Sequence, residues 1–114
     1  RRQRQVEQTI RSGLRDLRQS ADANQPAVFF ATLFRLLQER LGERLDLPAS
    51  AITEAVLDER LRPLQVPEEQ LAALRELFQT CNQARYARQT TNAELVSLVP
   101  KVETALNDLK KVNA

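Results

Sequence analysis

Apolar and polar positions divide this chain into four long periodic stretches and one short one. Val6, Ile10, Leu14, Leu17 and Ala21 recur at spacings of four, four, three and four residues, the period that stacks side chains on one face of an α-helix. Every position between them except Gly13 is polar, so the opening residues predict an amphipathic helix with a narrow apolar stripe. Asn24 or Gln25 marks the boundary, and Pro26 fits the first position of a second helix, where its missing N–H costs nothing. In "PAVFFATLFRLLQERLGERL" the residues Val28, Phe29, Phe30, Leu33, Phe34, Leu36, Leu37 and Leu41 are apolar nearly all round. A helix of that kind is covered on most sides and forms the predicted centre of the fold.

"LDLPAS" then breaks the pattern at Pro48, and Thr53 is a candidate cap for the shorter helix "EAVLDERL", with Ile52, Val56, Leu57 and Leu61 as its apolar side and Pro63 as its stop. Pro67 predicts a fresh start, followed by Glu68 and Glu69 in the turn where the helix dipole favours negative charge. Leu71, Leu74, Leu77, Phe78 and Cys81 make the inward stripe of that helix, which is expected to pack on the second. Residues 88–92 read as a linker, with Asn92 as the expected N-cap of a last helix carrying Leu95, Leu98, Val99, Val102, Leu106 and Leu109 on one face. Pro100 falls on its opposite face, which predicts a kink or a restarted turn with the stripe unbroken. The whole predicts an all-α fold, a compact bundle of four long helices plus one short one. Residues 1–114 form one domain: a basic N-terminal helix over 1–22 and a helical core over 26–112.

Composition narrows the chemistry. With 114 residues, 42% of them apolar, and only two glycines and five prolines, the chain fits one small helical domain with a genuine core. It has no histidine and one cysteine, which removes the commonest metal ligand, the usual general base near neutral pH and any internal disulfide. No catalytic residue, metal or cofactor is therefore expected, and a reducing compartment is favoured. No run of 18 or more apolar residues occurs. The chain opens on Arg1 and contains no methionine, which leads to the expectation that it is cut from a larger protein.

Charge is uneven. Residues 1–20 hold Arg1, Arg2, Arg4, Arg11, Arg15 and Arg18 against Glu7 and Asp16, an excess of +4, so the remaining 94 residues sum to −2 to give the overall +2. That basic face has three readings: a solvated surface with i,i+4 pairs, a contact for anionic lipid headgroups, or a nucleic-acid-binding face. Against nucleic acid stand the absence of interleaved aromatics and the acidic remainder. Cys81, at helical spacing from Leu74, Leu77 and Phe78, reads as a small buried hydrophobe, since no histidine exists to activate it; a thiol enzyme or redox switch is the least favoured reading. In "CNQARYA" the expectation is a helix end with the thiol inward, Arg85 toward the last carbonyls or a carboxylate, and Tyr86 as a lid over the core.

"NQPAVFFATLFRLLQERLGERLDLPASAITEAVL", "LRELFQTCNQARYA" and a final amphipathic helix together resemble the C-terminal domain of BatD-type proteins, the bacterial aerotolerance or oxygen-tolerance membrane proteins. The likeness covers about residues 20–110, and its most specific element is C-N-x-A-R-Y-A, with Cys81, Asn82, Arg85 and Tyr86. In that family aspartate is usual where Asn82 stands, and proline often stands in the place of Arg88. The resemblance implies a helical cytoplasmic domain behind a transmembrane helix, with "RRQR" as the juxtamembrane flank on the cytoplasmic face of the inner membrane. It further implies a protein interaction module in a membrane-anchored scaffold working with a MoxR-type AAA+ ATPase and von Willebrand factor A domain proteins.

Overall fold

The first apolar stripe builds α1 (Arg2–Asp22) and the aromatic-rich stretch builds α2 (Pro26–Leu45), followed by α3 (Glu68–Gln83) and α4 (Asn92–Leu109). These elements come from a computed structural model, which describes residues 2–83 and 90–113 and contains no strand among them. Asn24, at φ 52°, turns the chain after α1 in the left-handed conformation that asparagine tolerates, and Pro26 opens α2 as predicted. Arg2 at the start of α1 donates to the carbonyl of Leu47 beyond the end of α2, at 2.6 Å. Midway, a Cβ on Gly13 would lie 2.4 Å from a methyl carbon of the fully buried Leu36. The two helices are therefore antiparallel and approach closely at the one position of α1 that has no side chain.

α4 runs back along α1. Asn92 at its start donates its side-chain amide to the carbonyls of Ala21 and Asp22 at the end of α1, whereas Lys110 near its end lies 3.5 Å from Glu7. Asn92 thus closes the C-terminus of α1 instead of capping its own helix. The N-cap is Thr91, whose hydroxyl accepts from the Glu94 N–H at 3.1 Å. Asparagine is the somewhat better cap former of the two, so local preference favours Asn92 and the tertiary contact with the end of α1 overrides it. α4 continues through Pro100 without restarting, because Pro100 is exposed while Leu95, Val99, Val102, Leu106 and Leu109 keep the buried stripe.

The short helix differs most from expectation. Leu57–Leu61 is a π-helical turn, closed by an Arg62 N–H donating to Leu57 O, and Arg62–Leu64 is a 3-10 turn. Thr53 contributes only its backbone carbonyl, which accepts from Val56 N–H at 3.1 Å. Pro63 has no N–H to carry an α pattern onward, and the wider turn keeps both Leu57 and Leu61 fully buried. Pro67 stands one place ahead of α3, its carbonyl accepting from the N–H groups of Gln70 and Leu71.

All four helices and the π turn feed one hydrophobic cluster. α2 lies at its centre, as predicted: Phe29, Leu33, Leu36, Leu37 and Leu41 are fully buried, and each such side chain stabilises by about 1.5–3 kcal/mol. Two residues of the predicted all-round face sit nearer the surface, with Val28 49% exposed and Phe34 half-buried. Phe34 still meets Phe78 of α3 edge to face, with ring centroids 6.1 Å apart.

Candidate functional site

The structure separates the α1 arginines by role. Arg2 is spent on Leu47 O, and Arg18 pairs with Glu103 of α4. Arg4, Arg11 and Arg15 are exposed and have no ion pair among the described residues. Arg1 lies outside the described residues.

Cys81 is buried on α3, its thiol 3.9 Å from the Phe30 carbonyl, and burial pushes its pKa up to about 12. A thiol held protonated in an apolar wall is a poor nucleophile. Folded protein is accordingly expected to react with iodoacetamide far more slowly than denatured protein, a difference that mass spectrometry of timed quenches reads directly; equal rates would mean an accessible thiolate. Asn82 is exposed on the same helix. Arg85 and Tyr86, with Ala87 and Arg88, lie outside the described residues, and so do the capping and lid roles expected of them.

Sequence reasoning missed Arg40. Its side chain is 1% exposed in the middle of the core helix, with Nη1 donating to Glu43 at 3.0 Å and Nη2 to Glu7 of α1 at 2.6 Å. Glu43 also accepts from Arg44, and Arg44 donates to the Val112 carbonyl from Nε at 2.8 Å and Nη2 at 2.6 Å. This chain of charges ties α1, α2 and the segment after α4 together at one end of the bundle. Arg40 Nε is buried with no acceptor among the described residues, so the network is held at a cost. The available signal was register: Arg40 follows Leu33 and Leu36 by seven and four residues, on the core face.

Partial burial pushes the Glu7 carboxyl upward, but the Arg40 and Lys110 charges and hydrogen bonds outweigh it, and the net shift is below its ordinary 4.5. At the surface Arg62 donates to Asp58 and Glu68, and with Arg75 beside them these two carboxyls are lowered as well. A group whose pKa is depressed on folding stabilises above its unfolded value and stops doing so as pH falls through its folded value. The melting temperature is therefore expected to hold at neutral pH and to fall on acidification below 4.5, less steeply in Glu7→Gln. A melting temperature unchanged into strong acid contradicts these assignments.

A groove of about 420 Å³ opens on the surface between α3 and α4. Leu74, Leu77, Ala105 and Leu109 form its apolar floor, all buried. It exists because the positions that could close it are small, namely Ala73 on α3 and Thr104 and Ala105 on α4. Its rim is polar: Gln70, Asp108, and a Glu76 and Lys101 pair 3.9 Å apart, mostly exposed and thus a weak clasp. Asp108 has no ion-pair partner among the described residues. The arrangement offers shape, apolar surface and an acidic edge. The sequence places Leu74, Leu77 and Leu109 on inward stripes, but the groove itself was not legible there, because it arises only when two helices meet. No helix among the described residues is long and apolar enough to cross a membrane. No family model, curated protein or solved structure matches this chain.

Proposed function

We propose that this chain is a non-catalytic protein interaction module that receives an amphipathic helix of a protein partner in the groove between α3 and α4. The observation that carries the reading is the groove itself, an apolar floor of Leu74, Leu77 and Leu109 left open by Ala73 and Thr104. Helix-in-groove recognition needs such a floor for two or three apolar side chains at i, i+3 or i+4, and a polar rim that fixes orientation. Asp108, which has no ion-pair partner among the described residues, and the neighbouring Glu76 give the rim an acidic bias against Lys101 alone, so the complementary helix presents a cation beside its apolar stripe. The resemblance to BatD C-terminal domains supplies the setting: the cytoplasmic face of a bacterial inner membrane, in a membrane-anchored scaffold, with a MoxR-type AAA+ ATPase and von Willebrand factor A domain proteins as partners.

The test is binding of those purified partners to the immobilised protein, its Ala73→Arg variant and an Ala31→Arg variant on α2. Both alanines are exposed, so neither substitution disturbs the core. Ala73→Arg is expected to weaken binding tenfold or more, on the order expected of a disrupted anchor pocket, whereas Ala31→Arg leaves it unchanged. Equal retention by all three proteins, or by none, removes the groove reading for these partners.

A further inference from the structure

On a helix of 3.6 residues per turn, Arg4, Arg11, Arg15 and Arg18 fall within an arc of about 60° that points well away from the buried stripe of Val6, Ile10 and Leu17. The only other residue on that arc is Asp22, at the C-terminal end of α1, while Gln8 and Glu7 flank it about 20° beyond its two edges. The arginines form a straight, convex ridge about 21 Å long, at a rise of 1.5 Å per residue. Three of the four have no carboxylate partner among the described residues, and the fourth shares Glu103. Intramolecular pairing therefore does not explain the clustering. We propose that the arginine ridge of α1 is an electrostatic docking surface for the anionic headgroups of a phospholipid bilayer.

Three observations favour a bilayer over other polyanions. A flat sheet of phosphates meets all the arginines of a straight ridge at once. The arc holds no aromatic side chain on which a base could stack. It also holds no apolar residue, so contact stays at headgroup depth, driven by charge and screened by salt. The residues beyond position 20 sum to −2, so the same field that attracts α1 turns the rest of the molecule outward. This inference stands on α1 alone and is independent of the groove.

The test is co-sedimentation of the full chain with vesicles of phosphatidylcholine, with and without phosphatidylglycerol. The wild type is compared with a ridge variant (Arg4→Gln, Arg11→Gln, Arg15→Gln) and a control (Arg35→Gln, Arg60→Gln, Lys111→Gln) that removes equal charge from exposed sites elsewhere. The wild type is expected to bind only the anionic vesicles, and less as salt rises. The ridge variant is expected to lose about a hundredfold in apparent affinity, with the control losing much less. Failure of the wild type to bind anionic vesicles, equal losses in the two variants, or tighter binding to a short DNA duplex at the same salt would each overturn the proposal.

Discussion

Glu43→Ala is expected to cost about 3 kcal/mol, more than deleting the arginine that Glu43 serves. Arg40 is 1% exposed and holds one carboxylate on each terminal nitrogen. Removing Glu43 leaves the guanidinium buried with only Glu7, whose side chain is one-third exposed, and leaves a buried N–H facing no acceptor. Arg40→Met removes the buried charge together with its orphaned Nε, fills much of the same volume, and lets Glu43 keep Arg44. Its expected cost is below about 1.5 kcal/mol. Urea unfolding followed by far-UV circular dichroism ranks the two, and the reverse order would mean that the network stabilises the fold outright.

Phe29→Ala is expected to cost about 3–5 kcal/mol, a large share of the roughly 5–15 kcal/mol that is the whole stability of a small domain. Phe29 is fully buried on α2 and meets Phe30 edge to face, ring centroids 5.2 Å apart. Phe34→Ala, at a half-buried position, is expected to cost less, and Val28→Ala, 49% exposed, almost nothing. Thermal melts of the three variants read the order. Equal small shifts for Phe29→Ala and Val28→Ala would show that α2 is not the centre of the core.

The contrast between Phe29 and Val28 also marks where the sequence stops being legible. Period alone placed α1, α2, α3 and α4 and most of their buried stripes, because an amphipathic helix writes its inward face at i, i+3 and i+4. In α2 the stripe is nearly all round, so pattern does not distinguish Val28 from Phe29; the neighbours decide. Asn92 is in isolation the better cap, and Thr91 takes the role because the end of α1 lies beside Asn92. The π turn at Leu57–Leu61 follows from packing two leucines ahead of Pro63, which no local propensity announces. Of the functional surfaces, the arginine ridge was visible because it obeys the same period as the stripe opposite it. The groove was not, because Ala73 and Thr104 acquire meaning only once α3 and α4 are side by side.

The central claim is that α3 and α4 together receive a partner, and leucine methyl NMR tests it most directly. On titration with either proposed partner, a purified MoxR-type ATPase or a von Willebrand factor A domain protein, the methyls of Leu74, Leu77 and Leu109 are expected to shift or broaden, while those of the buried Leu17 and Leu33 stay fixed. Shifts confined to α1, or none at the groove when a partner is bound, would contradict it.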